Sequence, residues 1–293
     1  MENPVGFKDV FLLMLTALLV GCGGSAVTPA TPAAPALARD RLVFDSTRQS
    51  SSREIFVMKD DGTQITRLTN NPAFEHWWPR ISPDRTMILF YRRPAGVASD
   101  DYSRASLWVM NADGSGVTQL IPQGANGWSH QGHAEWSPDG SRIAMFGSYM
   151  STLQIFVTDS TGRNAVRFTD QPGIATDVSW SPDGNSLLFN GCPALPCTAT
   201  DYEIFEMSSA TPLATPTRLT VDRVADYDPY FSPDGSTIAW LTNTNPAANG
   251  GVGAWGIRMA DANGSNQRAL IDDGQINSKP AWSLDGNSIY FHR

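Results

Sequence analysis

The chain is short of charge. Only 17% of its 293 residues are charged, against about 25% in a typical globular protein. Basic residues are the scarcer kind: 21 Lys and Arg stand against 29 Asp and Glu, for a net charge of −8. No basic excess exists to displace counterions from a phosphate backbone, so nucleic acid is excluded as a partner. Histidine is rare, with four residues. No helix-length stretch outside the N-terminus repeats its apolar residues every 3.6 positions, which excludes a helical fold. The Gly-x-Ser-x-Gly elbow of nucleophilic hydrolases is absent; Gly127-Trp128-Ser129-His130-Gln131-Gly132 misses it by one residue. The apolar run Val10–Val20, broken only by Thr16, is too short to cross a bilayer, which takes about 20 residues.

What the chain does have is turns and aromatics. It holds 25 Gly, 20 Pro and nine Trp, and aromatics make up 10%. That composition argues against disorder for the bulk of the chain. It describes a turn-rich, aromatic-cored domain without naming an activity.

The Val10–Val20 run has the length of a secretory h-region. Leu19-Val20-Gly21-Cys22 follows it and resembles the lipobox of bacterial lipoproteins. That resemblance implies a signal peptide over 1–21 and a lipidated Cys22 as the mature N-terminus. The n-region departs from the pattern, because Glu2, Lys8 and Asp9 sum to −1. Residues 22–38 then read as lipidated Cys and tether: Pro29, Pro32 and Pro35 among Ala and Thr favour extended polyproline II. Sixteen such residues reach roughly 50 Å. The expected location is therefore the cell envelope, at the outer membrane where the host has one. The folded part, residues 39–293, would sit in the periplasm or at the cell surface.

Two cysteines remain, Cys192 and Cys197, in one loop. An even remainder fits a disulfide in an oxidising compartment. Two free thiols or a metal pair are the alternatives, although no His or third Cys lies nearby in sequence.

Residues 39–293 repeat one motif. Ser82-Pro83-Asp84-Arg85, Ser137-Pro138-Asp139-Gly140, Ser181-Pro182-Asp183-Gly184, Ser232-Pro233-Asp234-Gly235 and Ser283-Leu284-Asp285-Gly286 recur at intervals of 55, 44, 51 and 51. That period suits a four-stranded propeller blade. Each period carries four strand signals: a before the Ser, b after the Pro-Asp-Gly turn, c after a variable loop, and d after an Asn/Asp-Gly turn. The expected fold is all-β, a β-propeller of four-stranded antiparallel blades. Five blades fit best, with the chain's two ends completing one of them; six, with two incomplete end blades, is the alternative. The pattern resembles the TolB-type, WD-repeat-like β-propellers over 41–293. The resemblance implies ring closure by both chain ends and a non-catalytic, protein-binding role.

A residue repeated in every blade is structural, and Asp84, Asp139, Asp183, Asp234 and Asp285 read as turn-forming acids. Divergent positions carry the functional signal. Four residues before each repeat Ser stand Trp78, His133, Asp177, Asp228 and Lys279; six before stand His76, Gln131, Ala175, Asp226 and Asn277. These d–a entries open onto the central axis, so both sets should ring the axial mouth, with Trp77, Trp128, His130 and Tyr227 nearby. The candidate binding residues are therefore His76, Trp77, Trp78, Trp128, His130, His133, Asp177, Asp226, Asp228 and Lys279. His76, His133, Asp177 and Asp228 are metal-competent types, but nothing in the sequence brings them to one point. Neither metal nor cofactor is expected. The expected function is that of an envelope-anchored, monomeric lipoprotein whose propeller binds envelope proteins or an extended peptide. Its contact with the membrane is through the lipid alone. The alternative is a carbohydrate-binding or metal-dependent polysaccharide-cleaving propeller that stacks sugar on the axial Trp residues.

Overall fold

The computed structural model describes residues 35–98, 101–198, 200–222, 224–248 and 253–292. The expected signal peptide, Cys22 and most of the tether fall outside them. The first sheet is β1 (Arg41–Ser46), β2 (Glu54–Lys59) and β3 (Thr66–Arg67). Four complete blades follow. They are β4–β7 (Phe74–Ile81, Met87–Pro94, Ser106–Asn111, Thr118–Ile121) and β8–β11 (Gln131–Trp136, Arg142–Tyr149, Thr152–Asp159, Val166–Arg167). Then come β12–β15 (Ile174–Trp180, Ser186–Cys192, Glu203–Ser208, Thr217–Arg218) and β16–β19 (Asp226–Phe231, Thr237–Asn245, Ala254–Asp261, Arg268–Ile271). The chain ends on β20 (Ser278–Trp282) and β21 (Ile289–His292). Strands in each sheet neighbour in sequence order and pair antiparallel. Helix among the described residues is confined to two three-residue 3-10 turns.

The result is the five-bladed ring expected from the repeat. Its fifth position is supplied by both chain ends, as β1–β3 and the β20–β21 pair. An ion pair joins them: Lys279 Nζ lies 2.9 Å from Asp45 Oδ1. Burial would raise the Asp45 pKa, but Lys279, followed by Arg53, outweighs it and holds the carboxylate below its ordinary value. Docking of the chain onto the ring begins at Leu37, whose N–H donates to Arg85 O.

The core lies between blades. Apolar residues of strands b and c alternate to both sheet faces, so each sheet is buried on both sides. Trp77, Leu89, Leu107, Trp136 and Met145 pack blade β4–β7 on blade β8–β11. Phe146, Ile155, Trp180, Leu187 and Phe189 carry the next junction, and Leu188, Ile204, Ile238 and Trp240 the third. Each side chain so buried contributes about 1.5–3 kcal/mol against its exposed state.

Each Ser-Pro-Asp turn closes on itself. In the first, the Ser82 hydroxyl donates to Asp84 Oδ1 at 2.6 Å and accepts from Met87 N–H at 2.9 Å. The other four copies repeat these bonds, from Ser137–Asp139 to Ser283–Asp285. The fourth turn position has positive φ: +71° at Gly140, +74° at Gly184, +73° at Gly235 and Gly286. A Cβ on Gly140, Gly184 or Gly235 would sit 3.6–3.8 Å from the turn proline of the preceding blade, so little room lies beyond it. Arg85 breaks the rule, with φ +62°. The turn that precedes it around the ring, Ser283–Gly286, carries Leu284 where the others carry proline. The Arg85 guanidinium reaches back and donates to the carbonyls of Leu37, Ala38 and Arg41.

The strand that ends on each of the five repeat turns carries a β-bulge. Trp77 pairs with Tyr91 but Arg80 with Leu89, so three residues on β4 oppose two on β5. The same shift falls at Gly132/Glu135, Thr176/Ser179, Tyr227/Tyr230 and Ser278/Ala281. A bulge inserts one residue and resets which face the next side chain takes.

Candidate functional site

The extra residue in each bulge is the one four before the repeat Ser. Trp78, His133, Asp177, Asp228 and Lys279 all hold positive φ, between +48° and +56°. Non-glycine residues pay for that backbone, by about 1–2 kcal/mol each, so five in register mark a built feature of the ring. They meet at the axis. Trp78 stacks on His133 with ring centroids 4.0 Å apart. His133 Nδ1 meets the Asp177 carboxylate, and ligand atoms of His133, Asp177 and Asp228 lie within 4.8 Å of one another. Lys279 Nζ sits 5.4 Å from the Trp78 ring centroid.

A second layer lies two residues further along. Arg80 Nε bonds Glu135 Oε2 at 2.5 Å, and its Nη2 reaches the Tyr230 hydroxyl across the ring. Its guanidinium also lies 4.6 Å from the Trp78 ring. Burial works against the Arg80 charge, but Tyr230 and Glu135 outweigh it and raise the pKa. Arg80, Glu135, Tyr230, Asp45 and Tyr102 belong to this site and were not singled out from the sequence. Reading two residues before the repeat Ser as well as four would have found the first three. Asp45 and Tyr102 carry no repeat signal.

The electrostatics of the first layer follow from burial. His133 is held well below its ordinary pKa, first by burial and then by Arg80 and Lys279. A neutral imidazole fits its partners: Nδ1–H donates to Asp177 while Nε2 accepts from the Tyr102 hydroxyl at 2.9 Å. Asp228 is pushed up to about 6 by burial, with Arg80 and Lys279 pulling the other way. Its Oδ1 has no hydrogen-bond partner among the described residues. This is a mixed aromatic and ionic plug, with Trp78, Asp177 and Asp228 each more than nine-tenths buried.

The structure brings together Trp78, His133, Asp177, Asp228 and Lys279 from the expected set. It places the others elsewhere. His76 and Asp226 were expected at the axial mouth and are buried between blades instead, because the bulge turns only the fourth residue before the Ser to the axis and leaves the sixth on the regular sheet face. His76 Nδ1 lies 3.0 Å from Glu54 Oε2 of the preceding sheet. Asp226 faces the junction with β12–β15, as described below. Trp77 packs on Tyr91 under the Arg93 guanidinium. Trp128 is buried against Phe156 and over Gly147, where a Cβ would strike its ring at 2.7 Å. His130 is exposed; its ring meets the hydroxyl of its neighbour Ser129 at 3.0 Å, and its carbonyl accepts from Ser148 N–H. With Trp77, Trp78 and Trp128 buried, the three expected stacking faces are not open to a sugar ring. Cys192 and Cys197 are disulfide-bonded. Beside the axial end, Tyr202 stacks on Tyr227 at 4.9 Å and Trp255 meets Tyr227 edge-on at 5.6 Å.

These elements define the class: a propeller with a plugged axis and variable loops at one end. No family model matches the chain. Its fold is that of a TolB-like β-propeller. TolB of Acinetobacter baumannii superposes with a TM-score of 0.66 at 18% identity, over 85% of this chain and 57% of that one. A TolB-assigned structure from Agrobacterium tumefaciens gives 0.65 at 20% identity, over 85% and 78%. An oligogalacturonate lyase in complex with manganese gives 0.55 at 13% identity, over 87% and 84%. In sequence, the chain is 24% identical over 229 residues to the uncharacterized peptidase YuxL of Bacillus subtilis, covering 66% of this chain and 32% of that protein. It is 26% identical over 151 residues to a TolB homolog of Chlorobium luteolum, covering 50% and 30%. The chain thus spans about a third of the length of these two relatives.

Proposed function

We propose that this protein is an exported, lipid-anchored scaffold that binds envelope proteins, or an extended peptide from one, at the axial end of its propeller. The observation that carries the reading is the set of five bulge residues. One strained backbone position is kept in all five repeats, while its side chain changes from Trp to His, Asp, Asp and Lys. A rigid frame that repeats its geometry and varies its chemistry is how binding surfaces are built. The likeness to TolB structures supports a binding role, and the buried Trp faces disfavour the sugar-cleaving alternative. The Tyr202, Tyr227 and Trp255 cluster supplies the aromatic contact area that protein partners favour. Cys22 would hold the lipid and residues 23–38 the tether.

The test uses the full chain. Affinity capture from envelope extract is expected to recover a protein whose retention falls with His133→Ala and Tyr227→Ala while Asp183→Asn leaves it unchanged. Recovery that ignores the two axial substitutions removes the reading. Cys22→Ala is expected to move the protein from the membrane fraction to the soluble fraction; unchanged sedimentation removes the anchor.

A further inference from the structure

The junctions between sheets repeat a second pairing. The residue just before the repeat Ile or Leu of strand c in one sheet corresponds to the residue six before the Ser of the next; Glu54 meets His76 this way, and Glu203 meets Asp226. Around the ring the pairs are Glu54 with His76, Ser106 with Gln131, Gln154 with Ala175, Glu203 with Asp226, and Gly256 with Asn277. Four of these pairs are complementary or uncharged. Glu54 has His76. The Gln131 amide donates to two backbone carbonyls, and so does that of Gln154. The Asn277 amide donates to Trp255 O at 2.8 Å. The junction between β12–β15 and β16–β19 alone sets acid against acid.

That junction is short of positive charge. Glu203 and Asp226 are both fully buried. Glu203 gives one oxygen to Arg218 and accepts from the Thr220 hydroxyl with the other. Asp222 joins them, half-buried, with Arg258 Nη1 at 3.3 Å from its Oδ2. Oxygens of Glu203, Asp222 and Asp226 lie within 4.8 Å of one another. Three carboxylates against two guanidiniums leave a net −1. Asp226 has no share in either arginine. Neither of its oxygens has a partner at hydrogen-bond geometry among the described residues; the Thr242 and Thr220 hydroxyls and the Trp240 indole face it and lower its pKa, but none of them brings a positive charge. Burial, then Asp222, push its pKa up to about 7. An unpaired buried carboxylate is costly, and fold maintenance does not require one here, since Ala175 occupies the equivalent place one blade earlier.

We propose that the Glu203, Asp222 and Asp226 carboxylates form a Ca2+ site that ties blade β12–β15 to blade β16–β19. The donors are all oxygens, which selects a hard cation over a thiophilic or imidazole-seeking one. Oxygens within 4.8 Å of one another can share an ion at Ca–O distances of about 2.3–2.6 Å. Threonine hydroxyls and water would complete the irregular shell that Ca2+ accepts. Half-buried Asp222 is the solvent-facing member and gives the ion its way in. The ion would supply the balance that this junction lacks and that Glu54 finds in Arg67 and His76.

The test is calorimetric titration of the chelator-treated full chain with Ca2+ at pH 8, paired with thermal unfolding. One equivalent is expected to bind and to raise Tm by several degrees. Asp226→Asn removes the unpaired charge, so it is expected to be at least as stable as wild type in chelator, yet to bind Ca2+ about two orders of magnitude more weakly. Asp222→Asn, at the solvent edge, supplies the same reading independently of any folding defect in Asp226→Asn, with a loss of about tenfold. Asp228→Asn at the axis is expected to leave Ca2+ binding unchanged. No binding by the wild type overturns the site. So does undiminished binding by folded Asp226→Asn and Asp222→Asn, or a loss confined to Asp228→Asn.

Discussion

Each innermost strand has two ends with different histories. At one end every repeat keeps the turn's Ser and Asp, which satisfy one another, and only Leu284 and Arg85 depart from Ser-Pro-Asp-Gly. Four residues away, the bulge position keeps its backbone and changes its side chain. The turn's Ser and Asp are consumed by folding. The bulge's chemistry is left over, and the buried acid at Asp228 is the mark of it. What repeats is what the blade needs, and what varies on a repeated backbone is available for use.

The contrast can be broken or sharpened by substitution. The largest effect is expected on the repeated side. Trp180, which precedes its turn and is 7% exposed, should cost about 3–5 kcal/mol as Trp180→Ala, read from urea unfolding. A loss below 1 kcal/mol would mean the aromatic is not core. Next comes Lys279, the one bulge residue tied to closure. Lys279→Met leaves Asp45 buried with Arg53 alone and is expected to cost about 1–3 kcal/mol. The loss should shrink as pH falls below the ordinary Asp value of 3.8 and Asp45 takes a proton; a pH-independent loss would assign it to packing.

Asp228→Asn should act in the opposite direction. The folded chain holds the Asp228 proton with a pKa of about 6 against an ordinary 3.8. Wild type therefore gains stability below pH 4 and loses it as pH rises through 6. Asparagine carries no such penalty, so the variant is expected to be more stable at pH 8 by about 1–2 kcal/mol, with the gap closing at pH 4. Unfolding at the two pH values decides, and an equal gap at both refutes the charge argument. The smallest global effect is expected from Arg85→Gly. It relieves a positive φ on a non-glycine residue and loses three donations to residues 37–41. Tm should hardly move, while amide exchange over Leu42–Phe44 should quicken. Unchanged exchange would show that β1 is held without the arginine.

The fold was legible because repetition advertises it. Ser-Pro-Asp-Gly copies and Asn/Asp-Gly turns bracket nearly every strand. Half of the site was legible for the same reason, since counting back four from the repeat Ser reaches all five axial residues. The other half was not, because period-two alternation fails wherever a bulge adds a residue. No residue type announces this bulge: its strained position is Trp, His, Asp or Lys, never Gly. The count of six therefore led to His76 and Asp226, which belong to the junctions. Tyr102 and Asp45 reach the axis from a loop and from the chain's first strand, where no repeat copy exists to compare.

Arg85 has one more consequence. Gly140, Gly184, Gly235 and Gly286 each stand behind a turn proline of the preceding blade, whereas Arg85 stands where the chain enters the ring, behind a turn that carries Leu284 instead. The residue at that turn thus records where the ring starts to wind. A chain shortened to begin after Ala38 would leave this guanidinium only the Arg41 carbonyl to bind.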